Sequence, residues 1–161
     1  MIATMAMELI EKLGEFESRF TRWGGNENLA TYPFVENVYA PFSPLKRSLP
    51  MANLALITSA GAYIDGTNPF DTVSRDGDLS FREIPVEVEA EDIRYAARGY
   101  DAKYVQEDMN AQIPVERLLG YEANGVIGKL NNVWWTMNGF IPNAARVANE
   151  LAPKIAERVN R

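Results

Sequence analysis

The run Val133-Trp134-Trp135-Thr136-Met137 is apolar on both sides of a pleat. A strand without a polar face belongs in the middle of a sheet, with helices covering both layers. Its adjacent tryptophans must then point to opposite layers. Such a pair can stack on an aromatic cofactor, although packing in a core or interface is its commoner use. A second apolar run, Leu54 to Thr58, breaks into the small-residue turn Ser59-Ala60-Gly61. Shorter strand candidates cover 80–84 and 92–97, separated by the acidic stretch Glu87 to Asp92. Strands interleaved with helical patterns predict an α/β fold, a small mostly parallel sheet of about four strands with flanking helices.

The helices follow from apolar spacing. Ile2, Met5, Leu9, Leu13, Phe16 and Phe20 recur three and four apart, which places them on one face of an N-terminal helix. Glu8, Glu11, Lys12, Glu15 and Arg19 lie largely on the other face, and Gly24-Gly25 supplies the stop. Residues 31–50 hold Pro33, Pro41, Pro44 and Pro50 among Tyr32, Phe34, Tyr39 and Phe42, which forbids a long helix and favours an extended arm. Helices are expected at 103–109 and 114–123, the second with Pro114 in its first turn and Val115, Leu118 and Leu119 on its apolar face. Gly125 and Gly128 bracket a turn. A last helix starts at the cap Asn143 with the stripe Ala144, Ala148, Leu151, Ile155 and Val159, and Pro153 kinks or restarts it. Residues 1–50 thus read as helix and arm, and 51–161 as the α/β domain.

Charge and composition exclude several classes of function. A net charge of −6 leaves no dominant basic surface, so neither nucleic acid nor an anionic membrane is an expected partner. No run approaches the roughly 20 apolar residues of a membrane span, and the charges at 8, 11 and 12 interrupt any secretory core, so a cytoplasmic protein is expected. The chain contains no cysteine and no histidine, which removes thiol nucleophiles, thiolate metal sites and most general-base schemes. No glycine fingerprint for a nucleotide or dinucleotide occurs, and no cofactor is expected.

Candidate site residues lie where strands end. Ser59 and Gly61 close the first strand, where backbone N–H groups can cradle an anion or simply make a tight turn. The loop 60–78 is long, with Gly61, Gly66, Pro69, Gly77 and aspartates 65, 71, 76 and 78. Its aspartates match no EF-hand spacing, and solvated loop carboxylates are the expected reading rather than a metal site. Arg82 can clamp a carboxylate, or pair with Asp76 or Asp78 to hold the loop. Asp108 and Asn110 stand either at the mouth of a site or as the cap of the helix 114–123. No catalytic residue is assigned.

The proline-containing lead-in 41–46, Leu54 to Gly61, Gly77-Asp78-Leu79-Ser80-Phe81-Arg82-Glu83-Ile84-Pro85, and Asp108-Met109-Asn110 with Ile113-Pro114-Val115-Glu116-Arg117-Leu118 form an ordered set of segments. Together they resemble the B component (selenoprotein B) of the glycine, sarcosine, betaine and D-proline reductases. Gly125-Val126-Ile127-Gly128-Lys129-Leu130 and Met137-Asn138-Gly139 are similar to further segments, in the same order. Two departures stand out. The family usually has histidines between the second strand region and the acidic-Asn motif, where this chain has Arg98 and Tyr100 near the expected positions. This chain also stops at Arg161, before the segment expected to carry the selenocysteine or cysteine.

The resemblance implies the substrate-binding half of a reductase-like subunit, with Ser59, Gly61, Arg82, Asp108 and Asn110 facing a small molecule. Reductive cleavage of a carbon–nitrogen bond calls for a thiolate or selenolate, so a partner chain carrying a Cys or Sec redox motif would have to supply it. An apolar strand such as 133–137 at the end of a half-sheet would leave an edge for that partner to cover. The other reading is a non-catalytic binding or assembly protein that self-associates through the same edge and the N-terminal helix.

Overall fold

The computed structural model describes residues 2–26, 28–35 and 44–160, with side chains from residue 13 onward. The expected stripe positions Ile2, Met5 and Leu9, and the arm residues Tyr39, Pro41 and Phe42, fall outside the described side chains and residues. Helix α1 (Ile2–Trp23) ends where expected, with Gly24 and Gly25 at φ 66° and 84°. Its Leu13, Phe16 and Phe20 are buried against Ala145, with Tyr32 and Val35 of the following arm alongside. The arm is anchored by the Tyr32 hydroxyl, which donates to the Pro142 carbonyl at 2.6 Å.

Seven short strands follow the arm: β1 (Asn53–Leu54), β2 (Ile57–Thr58), β3 (Ala62–Ile64), β4 (Phe81–Pro85), β5 (Ile93–Tyr95), β6 (Lys129–Leu130) and β7 (Val133–Met137). The α/β class is as expected, and the pairing is part parallel and part antiparallel. β1 runs parallel to β6 and β2 parallel to β7, whereas β4 pairs antiparallel with β7 and β3 with β5. The expected strand 54–58 is therefore interrupted at Ala55-Leu56, and the expected loop 60–78 begins with strand β3. The edge expectation is also corrected. β7 is flanked by β2 on one side and β4 on the other, so it is central, as its two-sided apolar pattern demands.

The tryptophans divide the layers. Trp134 is buried with Ile84, Ile93, Ile113, Ile127 and Leu130. Trp135 is buried on the other face with Leu151 and Ile155. That second layer is a helical rod made of α4 (Ala144–Arg146), a π-turn (Val147–Leu151) and α5 (Ala152–Val159). Asn143 caps it, its side chain accepting from the Arg146 N–H. Pro153 lacks an N–H for the helical ladder, and the π-turn just before it lets the helix restart there.

The remaining helices are short. α2 spans Lys103–Glu107, and α3 spans Val115–Ala123 with Pro114 as its N-cap. Val115 is buried and Leu118 half-buried as expected, but Leu119 faces solvent.

Tyr95 on β5 is half-buried, and desolvation, with Tyr100 nearby, pushes its phenol up to about 12 from 10.0. The folded chain thus holds this proton where the unfolded chain loses it. Its contribution to stability is complete below pH 10 and is lost as pH rises toward 12. Urea midpoints should fall across that interval, and Tyr95→Phe should flatten the fall. An unchanged alkaline profile in the variant would refute the assignment.

Candidate functional site

β2 and β7 are parallel, so their carboxyl ends, Thr58-Ser59 and Met137-Asn138-Gly139, lie side by side. Ligands of open α/β sheets bind outside such ends. A groove of about 520 Å³ opens there, bordered by Ser59, Arg98, Tyr100, Gln112, Gly139 and Phe140. Leu29 and Phe34 of the arm form its outer wall.

Three chain segments meet at the floor of the groove because glycine lets their backbones touch. A Cβ on Gly139 would stand 2.9 Å from the Ser59 carbonyl oxygen and 3.0 Å from that of Arg98. Gly61, at φ 65°, would set a Cβ 2.7 Å from the Ala96 carbonyl oxygen. Buried Asn138 fastens the same junction, donating to the Ala96 carbonyl and accepting from the Phe140 N–H.

Arg98 is the cation of this groove. It donates to the Ser74 carbonyl at 2.7 Å, and its guanidinium carbon lies 5.6 Å from the centre of the Phe140 ring. Among the described residues no carboxylate borders the groove and Arg98 enters no ion pair. A guanidinium so placed can meet an anionic group. Tyr100 donates to the Ala60 carbonyl, and burial holds its phenol above the usual range.

The residues expected at a site fall in three places. Ser59 is exposed at the groove. Gly61 shapes the floor, but its N–H is committed to the Met137 carbonyl at 2.8 Å. The Ala60 N–H goes to Thr58 Oγ1 and the Ala62 N–H to Thr136 Oγ1. Those three amides therefore build the turn and leave no cradle for an anion.

Arg82 borders a different groove, with Asn68, Phe81, Glu83 and Arg158. Its guanidinium stacks on Phe70 at 4.2 Å and donates to Ser80 Oγ at 2.7 Å and, at 3.4 Å, to the Asn68 carbonyl. Ser80 in turn donates to Asp78. The expected pairing with Asp78 is thus relayed through a hydroxyl, while Asp76 pairs with Arg75 at 3.0 Å and Arg146 at 3.7 Å. Burial pushes the Asp78 carboxyl up, but Ser80, the N–H groups of Asp71 and Ser80, and Arg82 together bring it below its usual value. Asp71 accepts from the Val73 and Ser74 N–H groups, and Asp65 pairs with Arg94 at 2.7 Å. All four loop aspartates are engaged in holding the loop.

Asp108 caps the 3₁₀ turn Met109–Ala111, accepting from the Asn110 N–H, and Asn110 donates to Glu116 at 3.2 Å. The cap therefore sits one element before α3. Neither residue borders the Ser59 groove. Arg98 and Tyr100 do, and the sequence hinted at them only through the family resemblance, near positions where it led one to expect histidine.

Fold and groove together define an α/β domain with a groove at the carboxyl ends of two parallel strands. The family model for glycine/sarcosine/betaine reductase selenoprotein B matches residues 22–161, and the chain belongs to that family. Over 135 residues it is 30% identical to the glycine reductase complex component B subunit gamma of Symbiobacterium thermophilum, covering 80% of this chain and 31% of that one. Over 118 residues it is 26% identical to the D-proline reductase subunit gamma of Acetoanaerobium sticklandii, covering 73% and 48%. The glycine reductase component B subunit gamma of Carboxydothermus hydrogenoformans is 30% identical over 119 residues, covering 70% and 27%. The chain therefore spans less than half the length of these relatives. No solved structure matches significantly. No described helix is long and apolar enough to cross a membrane.

Proposed function

We propose that this chain is the substrate-binding part of a reductase-like assembly, with the redox thiol or selenol supplied by a partner chain. The carrying observation is Arg98, which enters no ion pair among the described residues, in a groove at the carboxyl ends of two parallel strands, in a chain of this family. The relatives are named as subunits of glycine and D-proline reductases, so the ligand class is a small amino acid or its N-methyl derivative. Its carboxylate would meet Arg98, and Ser59 stands within the same groove. Ser59 and Gly61 belong to this reading directly, Gly61 through the floor. Arg82, Asp108 and Asn110 enter it as supports of neighbouring loops.

Calorimetric titration with glycine, sarcosine, betaine and D-proline tests the proposal. At least one should bind, and Arg98→Gln should weaken it by about 10- to 100-fold, the range for a charge-assisted hydrogen bond. Arg98→Lys should recover part of the loss. No binding, or equal binding by Arg98→Gln with an unchanged melting curve, would sink the site.

The absence of cysteine and histidine also favours a second reading, a binding or assembly protein without chemistry of its own. Native mass spectrometry of the endogenous complex separates the two. Homo-oligomers alone, with no thiol- or selenol-bearing partner, would leave only the second.

A further inference from the structure

Among the described residues, the parallel strands β1 and β2 carry no neighbour on the side away from β6 and β7. Trp135 N–H bonds the Leu56 carbonyl at 2.9 Å, Asn131 N–H that of Leu54 at 2.8 Å, and Lys129 N–H that of Ala52 at 3.1 Å. The even-numbered residues thus turn their carbonyls toward β6 and β7. Alternate residues of a parallel strand send their peptide groups the other way, so Asn53, Ala55 and Ile57 aim theirs outward. All three are exposed, and none has a backbone partner on that side among the described residues.

Natural edges are usually guarded by charge or proline. Residues 51–59 contain neither. Exposed apolar side chains lie on these strands and in the segment leading into them, at Leu45, Leu49, Met51 and Ile57, and Leu29 and Phe34 border the groove together with Ile57 and Ser59. Charge is just as uneven. From Pro44 to Ile64 there is no acidic residue, and Lys46 and Arg47 are exposed, in a chain whose net charge is −6.

We propose that this edge receives an extended segment of another subunit as an added parallel strand, apolar at alternate positions and acidic at its amino end. This rests on the reading of the chain as part of a multi-subunit assembly. The acidic end meets Lys46 and Arg47. The parallel direction continues the β7–β2 order and brings the carboxyl end of the added strand to Ser59, beside the groove.

The test uses two synthetic probe peptides of alternating threonine and valine, one with two glutamates at its amino end and one with them at its carboxyl end. Amide hydrogen exchange should show protection of Ala55 and Ile57 by the first peptide. Its affinity should exceed that of the second by about fivefold, the scale of two exposed charge pairs, and K46E with R47E should remove that preference. Ala55→Pro, which deletes an outward N–H, should abolish binding while leaving the melting curve and the amino-acid titration unchanged.

No protection by either peptide, or equal affinity for both, overturns the proposal. So does protection without peptide that grows with protein concentration alongside a sedimenting dimer, because a second copy would then be the occupant. The amino-acid titration on the same sample separates the two readings. Amino-acid binding without peptide protection removes the docking strand alone, and the reverse removes the ligand site alone.

Discussion

Gly61→Ala is expected to destabilise the fold by about 2–5 kcal/mol, as the sum of left-handed strain and overpacking. Gly61 has φ 65°, and a methyl group there would stand 2.7 Å from the Ala96 carbonyl oxygen. That oxygen cannot retreat freely. It accepts from Asn138, and the Ala96 N–H is bound to the Gly61 carbonyl at 2.9 Å. The strain would therefore spread to the segment carrying Arg98 and Tyr100 and distort the groove. Gly66→Ala is the matched control. Its φ is 76° but no atom lies within 4 Å of the added carbon, so only the conformational cost of about 1–2 kcal/mol should appear. Urea unfolding of both variants checks the difference, and equal losses would mean that the Ala96 contact does not matter.

Trp135→Ala is expected to remove about 3–5 kcal/mol, the usual range for deleting a buried aromatic side chain. Trp135 is 2% exposed and packs beneath Leu151 and Ile155, joining the sheet to the closing helix. Its indole N–H donates to Glu83 at 3.1 Å, and Arg158 of α5 holds the same carboxylate through two bonds of 2.8 and 2.9 Å. Trp135→Phe should cost much less. It keeps most of the apolar contact, and Glu83 retains Arg158 after the indole hydrogen bond is gone. Chemical denaturation with helical and aromatic signals recorded together provides the check. Similar losses for alanine and phenylalanine would shift the weight from packing to the hydrogen bond.

What the sequence made legible was local. The two-sided run 133–137, the cap at Asn143 and the stops at Gly24 and Gly25 depend on neighbouring residues, and each stands where expected. Strand β3 was hidden because three residues beside an aspartate-rich loop carry almost no periodicity. Its strand character comes from pairing with Ile93–Tyr95. The interruption at Ala55-Leu56 was hidden for a related reason, since β1 and β2 pair with two different distant strands. Placing an open edge at 133–137 misjudged the topology, because an antiparallel neighbour, β4, already covers that side.

The site was legible at one of its walls. Ser59 follows from a strand end, but nothing local says that Arg98 and Tyr100 fold onto it. The clue was glycine. Gly99 and Gly139 sit where a side chain would collide with Phe140 in one case and with Ser59 and Arg98 carbonyls in the other. Such contacts between distant segments leave only an unremarkable glycine in the sequence. Arg82 drew attention through its motif, yet its hydrogen bonds and its stacking on Phe70 serve the loop around Asp78.

The central position of β7 also sets an order of events. Among the described residues, the strand partners of 53–58 and 81–85 lie in residues 129–137, near the far end of the chain described. Such distant pairings slow folding. During synthesis these strands wait unpaired until Met137 has left the ribosome. Until then the nascent chain exposes the uncharged stretch 51–59.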